Sequence, residues 1–102
     1  MAKLESGFQA SLVRELEERY PGCIVLKNDP SRRQGFPDLT VLYKKKWAVL
    51  ECKRSENEHK QPNQKYYVAK LDRMGYARFI FPENKDDVLK DLDKAFGRRR
   101  KE

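Results

Sequence analysis

The side chains of this chain whose types and spacing suit chemistry are Asp38, Glu51 and Lys53. Gly35-Phe36-Pro37-Asp38-Leu39 reads as the entry to a short strand and Glu51-Cys52-Lys53 as the end of the next, with twelve residues between Asp38 and Glu51. Side chains alternate along a strand, so Glu51 and Lys53 share one face with Val49, while Leu50 and Cys52 take the other. Asp38 lies beside Glu51 if the two strands pair in register. Two carboxylates brought close repel each other, and a bound Mg²⁺ relieves that repulsion. A hard cation of this kind keeps several waters, one of which can serve as the nucleophile at phosphorus. Lys53 would orient that water or offset the charge that grows on the phosphate in the transition state. The chemistry this implies is metal-dependent cleavage of a nucleic-acid backbone.

Each short motif also has a plainer reading. Pro37-Asp38 can be a turn entering a strand, and Glu51 with Lys53 a solvent-facing pair on a sheet edge. Neither dipeptide is specific alone. Their order and spacing on consecutive strands carries the weight.

Composition agrees with a phosphate-bearing partner. The 102 residues suit one domain, 1–102, with a basic tail from Arg98. Charged and hydrophobic residues each make up 38%, which marks a globular rather than a disordered chain. Lys and Arg number 23 against 16 acids, a net charge of +7 that favours DNA and whose pull weakens as salt rises. Arg32, Arg33, Lys27, Lys44, Lys45 and Lys46 are candidate contacts to the DNA backbone, although any one of them can equally be a solvated charge. Arg32 and Arg33 stand out because they precede Asp38 in the same loop. Cys23 and Cys52 lack the spacing of a zinc site or a disulfide framework. The N-terminal residues form no apolar run, so neither a signal peptide nor a membrane span is expected, and the location implied is cytoplasmic with reduced thiols. His59 lies in a polar stretch and reads as loop rather than as a general base.

The elements that must position these residues follow from periodicity. Leu4, Phe8, Leu12, Leu16 and Tyr20 recur every four residues and predict a helix that Pro21-Gly22 ends. Cys23 to Leu26 reads as a strand bounded by Asn28-Asp29-Pro30. Strands near Asp38 to Tyr43 and Trp47 to Lys53 form a hairpin across Lys44-Lys45-Lys46. A second helix starts at Pro62 and ends at Gly75, with Tyr67, Leu71 and Met74 along one face. Tyr76 to Phe81 reads as a fourth strand. Asn84 caps a last helix, with Asp86 and Asp87 in its first turn and Val88, Leu92 and Phe96 facing inward, and Gly97 stops it. Cys52, Trp47, Phe79 and Phe81 are expected in the core, and Tyr66 or Tyr76 facing DNA or a second subunit.

On Pro37-Asp38 followed by Glu51-Cys52-Lys53, the chain resembles the PD-(D/E)xK nuclease superfamily. Within it, Gly35 to Leu39 and the glutamine Gln64 opening the second helix resemble the VRR-NUC and Holliday-junction-resolvase-like branches. The resemblance spans Glu5 to about Phe81. It implies an α/β fold with a restriction-endonuclease-like αβββαβ core, a mixed four-stranded sheet flanked by helices, here with an added C-terminal helix. It implies Mg²⁺, replaceable by Mn²⁺, held by Asp38, Glu51, the backbone carbonyl of Cys52 and an acid of the first helix, for which Glu5 is the choice. Glu5 can also be an ordinary first-turn acid that complements the helix dipole. Gln64 shares the inward face of the second helix, where an amide would contact the phosphate or the water at the metal. The implied substrate is branched or duplex DNA in a bacterial or phage setting, and symmetric cutting of a four-way junction implies a homodimer. The alternative function is a DNA-binding module that keeps the fold and does not cut. The presence of Asp38, Glu51 and Lys53 together favours the nuclease. An RNA-directed protein ranks lower, since paired aromatics of a single-strand platform are missing.

Overall fold

The apolar periodicities resolve into seven elements in a computed structural model that describes residues 2–29 and 31–98, with side chains from Gly7 onward. They are α1 (Ala2–Arg19), β1 (Ile24–Lys27), β2 (Leu39–Tyr43), β3 (Lys46–Cys52), α2 (Pro62–Met74), β4 (Ala77–Ile80) and α3 (Lys85–Phe96). The four strands form one sheet in the order β1-β2-β3-β4. The first three make an antiparallel meander, and β4 runs parallel to β3 after the crossover through α2. A parallel neighbour requires such a crossover, and a helix of α2's length supplies it. The chain is therefore an α/β protein with a mixed four-stranded sheet and a C-terminal helix.

The sheet has two unequal faces. On one, Leu39, Val41, Ala48, Leu50, Cys52 and Ile80 pack against Leu12 and Leu16 of α1 and Leu89, Leu92 and Phe96 of α3. This is the main core. On the other, α2 lies over β3 and β4, where Leu71 meets Val49 and Ala77, with Phe36, Trp47, Tyr67 and Val68 at the margin. The helix does not reach β1 and β2, so Ile24, Leu26 and Leu42 stay exposed.

Several local expectations need correction. Met74 points to solvent, and α2 packs through Tyr67, Val68 and Leu71 instead. Tyr76 is buried, its hydroxyl donating to the Val88 carbonyl at 3.3 Å, so among the two tyrosines only Tyr66 is exposed. Trp47, Phe79 and Phe81 are half-buried rather than core. Gly75 does end α2, but at an extended φ of −162°; its lack of a side chain matters because a Cβ there would stand 2.7 Å from the Trp47 ring. Asn84 caps no helix N–H with its side chain. Its amide instead accepts from Phe81 N at 2.8 Å and donates to Phe79 O at 3.1 Å, closing the turn after β4. The turn of the β2–β3 hairpin is Lys44-Lys45, with Lys44 at a φ of 57°. Gly97 takes the left-handed cap of α3 at φ 71°.

Candidate active site

Antiparallel pairing of Leu39 with Leu50 brings Asp38, at the head of β2, beside Glu51 near the end of β3. Asp38 is fixed twice. Its carbonyl accepts from Asn28 N at 2.7 Å, and its carboxylate Oδ2 accepts from Cys52 N at 2.9 Å. Asn28 also donates its side-chain Nδ2 to the Pro37 carbonyl at 2.8 Å and to Thr40 Oγ1 at 2.9 Å, so it sets the path of the chain into Asp38. Alternation along β3 sends Cys52 into the main core and Glu51 to the α2 face.

There Glu51 and Lys53 are 3% and 4% exposed, which overturns the reading of a solvent-facing edge pair. Strand β3 is an inner strand, covered on this face by α2. The two charges form a long ion pair, with Lys53 Nζ and Glu51 Oε2 3.8 Å apart. Gln64 lies between them. Its Nε2 donates to Glu51 Oε2 at 2.8 Å, and its Oε1 accepts from Lys53 Nζ at 2.8 Å and from Gln61 N at 3.0 Å. Lys53 Nζ donates further to the His59 carbonyl at 3.2 Å. The amide thus fixes the acid and the ammonium at a set spacing, and the first turn of α2 fixes the amide.

Burial pushes the Asp38 carboxyl above its ordinary range; the Cys52 N–H and the Lys53 charge pull it back in part, and Glu58 pushes it up again. A desolvated carboxylate beside a second one is a setting that a hard cation would relieve. Among the described residues no three His, Cys, Asp or Glu side chains cluster as a metal cage. The donor set is the two carboxylates of Asp38 and Glu51. That set fits Mg²⁺, which binds through one or two carboxylates and keeps water in its remaining positions. It lacks the His and Cys ligands on which ordinary zinc sites are built. Glu5 falls in α1, but its side chain lies outside the described residues.

The candidate DNA contacts divide by position. Lys27 ends β1 opposite Leu39, at the site end of the sheet. Arg32 and Arg33 lie in the exposed loop ahead of Asp38, where Arg33 Nη1 donates to Tyr67 Oη at 3.1 Å. This loop is seated on α2: Gly35 takes a φ of +87°, and a Cβ there would stand 2.6 Å from Asn63 Cγ. Phe36 meets Tyr67 edge-on at 5.6 Å. Lys44, Lys45 and Lys46 sit at the opposite end of the hairpin, about 20 Å from Asp38 along an extended strand. Lys46 Nζ donates to the Ala95 carbonyl at 3.3 Å.

Sequence reading missed Asn28, Glu58, the His59 carbonyl and the Phe36–Tyr67 pair. Asn28 had a signal, a polar residue at a strand exit, but only pairing shows what it holds. The others depend on how the 54–61 segment and α2 fold over β3. Comparison with protein-family models, with curated proteins and with solved structures finds no match for this chain. What the fold and site define is a class: an α/β protein carrying two carboxylates, a lysine and a bridging glutamine at adjacent strand ends. Among the described residues no helix is long and apolar enough to cross a membrane.

Proposed function

We propose that the chain is a Mg²⁺-dependent endodeoxyribonuclease of the PD-(D/E)xK type that hydrolyses DNA phosphodiester bonds. The observation that carries this reading is the buried Glu51–Lys53 pair, held 3.8 Å apart by Gln64 and set beside Asp38. A buried ion pair contributes little to stability over an apolar pair of the same volume. Desolvated charges gathered at strand ends, beside an Asp38 carboxyl that burial pushes up, suit a working site instead.

Asp38 and Glu51 would hold the cation, with the Cys52 carbonyl as the main-chain donor. When bound, Mg²⁺ supplies charge neutralisation at the phosphate and makes water more acidic. Hydrolysis there would form a bond from water oxygen to phosphorus and break the bond to the leaving oxygen, the proton given up by the water through solvent balancing the one gained by the leaving oxygen. Lys53, steadied by Gln64 and the His59 carbonyl, orients the attacking water or offsets the negative charge on the phosphoryl oxygens. Arg32, Arg33 and Lys27 would hold the DNA backbone beside the site. A small basic surface suits the shape of branched DNA better than a base sequence. Cutting a junction on two strands calls for two copies, so the working form is proposed to be a homodimer.

The test uses labelled four-way junction, flap and linear duplex with Mg²⁺ or EDTA, for the unaltered protein and Glu51→Gln. Metal-dependent cuts that vanish in the variant support the nuclease. Tight binding without cleavage under Mg²⁺ or Mn²⁺ would instead mark a non-catalytic DNA-binding module. Sedimentation at working concentration reads the dimer, and a mass of one chain would count against it.

A further inference from the structure

Next to Asn28, whose N–H is bonded to the Asp38 carbonyl, the surface holds an open cavity of about 220 Å³ lined by Asn28, Asp29, Arg32, Arg33 and Phe36. Nothing in the cleavage reaction uses it. It adjoins the site directly, because Asn28 donates to the Pro37 carbonyl at 2.8 Å and to the Asp38 carbonyl at 2.7 Å. Its lining combines three chemistries. Phe36 offers an aromatic ring, kept in place by the edge of Tyr67 at 5.6 Å. Arg32 and Arg33 are exposed guanidiniums, one of them steadied by Tyr67 Oη. Asp29 is an exposed carboxylate whose Oδ1 is committed to Ser31 N at 2.9 Å and Ser31 Oγ at 2.8 Å. Its Oδ2 accepts no hydrogen bond among the described residues.

We propose that this cavity is a binding site for one unpaired nucleobase, adjacent to the phosphate to be cut. The inference deepens the nuclease reading and rests on it for where that phosphate lies. A base is planar and apolar on its faces, which suits stacking on Phe36. Every base offers such a face, so stacking itself is tolerant of sequence. The cavity has room for a single base, and a base can enter only when it is unpaired or turned out of the duplex. The two arginines on the rim contact the backbone on either side. Asp29 is acceptor-only when ionised, and the Ser31 N–H holds its carboxyl below the ordinary range. It therefore favours a base with an exocyclic amine (adenine, cytosine or guanine) over thymine. The substrate this selects has an unpaired nucleotide next to the scissile bond, as at a flap or a junction centre, rather than continuous duplex.

The experiment places 2-aminopurine, a base with an exocyclic amine whose fluorescence reports stacking, at successive unpaired positions of a flap DNA. It measures fluorescence and anisotropy with the full chain in EDTA, so that no cleavage is needed. A stacking signal at one position, lost in Phe36→Leu even at protein concentrations that still saturate the flap by anisotropy, is the expected result. Leucine keeps the apolar contact with Tyr67 and removes the ring, and a melting curve checks that the variant folds. Affinity for the flap is expected to fall about tenfold in Phe36→Leu. Asp29→Asn is a surface change that leaves folding intact. It should reduce the preference for adenine over thymine at that position about fivefold. Binding with no position-specific signal, or a signal unchanged in both variants, overturns the base site. Cleavage assayed separately with Mg²⁺ keeps the two readings apart. Cutting without a base signal leaves the nuclease and removes the cavity's role, and a base signal without cutting does the reverse.

Discussion

Two buried carboxylates of this protein, Asp93 and Glu51, are each surrounded by donors, and they are handled in opposite ways. Asp93 on α3 is closed on its partners. Arg19 Nε and Nη2 donate to its two oxygens at 3.0 and 2.7 Å, Tyr20 Oη donates at 2.5 Å, and Arg98 Nη1 reaches it at 3.4 Å. Glu51 meets an uncharged amide at 2.8 Å, and Lys53 Nζ stands 3.8 Å away. The first arrangement satisfies a charge completely and ties the end of α1 to the end of α3, which is what stability asks. The second holds an acid and a base as a longer ion pair, 3.8 Å apart, with an amide bonded to both. The bidentate arginine engages both oxygens of Asp93, whereas the Gln64 amide and the Lys53 ammonium both meet Glu51 at Oε2.

The contrast is broken most directly by exchanging loss of function for loss of fold. Glu51→Gln is expected to lower the cleavage rate by at least about a thousandfold, the several kcal/mol that a bound cation supplies. Single-turnover rates with Mg²⁺ check this, and circular dichroism should show the same fold. Asp93→Ala should do the converse, costing about 2 kcal/mol in urea unfolding by leaving a partly buried arginine without its partner, with cleavage unchanged below the transition. If Asp93→Ala silenced cleavage in folded protein, the division between the two networks would fail.

A smaller effect sharpens the comparison. Gln64→Ala removes the amide that spaces Glu51 and Lys53, and should lower kcat about 10- to 100-fold with little change in KM, as for partners that orient ligands. A raised KM with kcat unchanged would mean that Gln64 binds substrate instead.

Titration separates the networks by sign. Burial raises the Asp38 carboxyl above the ordinary 3.8, so its contribution to stability is fully present below that value and is lost as pH rises through the raised one. Burial also pushes Asp93 up, but the hydrogen bonds from Arg19 and Tyr20 outweigh it and hold its carboxyl below 3.8. Its contribution is therefore present above 3.8 and lost as pH falls through the lowered value. Urea unfolding of Asp38→Asn should show a small gain over the unaltered protein at neutral pH that disappears toward pH 3.8. A gain that persists in acid would sink this assignment. The smallest effect concerns salt. Replacing Arg32 or Arg33 by Ala should lower the slope of log affinity against log salt by about 1 each, and replacing Lys44 to Lys46 by Gln should change it less. Equal effects would put DNA at both ends of the hairpin.

The order of elements, the two-faced alternation of β3 and the meeting of Asp38 with Glu51 were legible in the sequence. Each depends on short-range rules: four-residue apolar spacing, alternation along a strand, and the register of one tight hairpin. What the chain does with its long-range contacts was not legible. Gln64 reaches Glu51 and Lys53 only because α2 crosses over β3, and Asp93 finds Arg19 across 74 positions of sequence. Tyr76 and Met74 exchange their expected places for the same reason, since packing of α2 and β4 decides which flank of the turn is covered. Lys44 to Lys46 and Arg32 with Arg33 look alike as clusters of charge, yet hairpin geometry sends one cluster to the far end of the sheet. By itself, the sequence determined which residues are paired locally and which side of a strand each one takes. The tertiary structure alone decided which charges are closed, which are held apart and which cavity adjoins Asp38, because burial and spacing between distant segments arise only when the helices pack on the sheet.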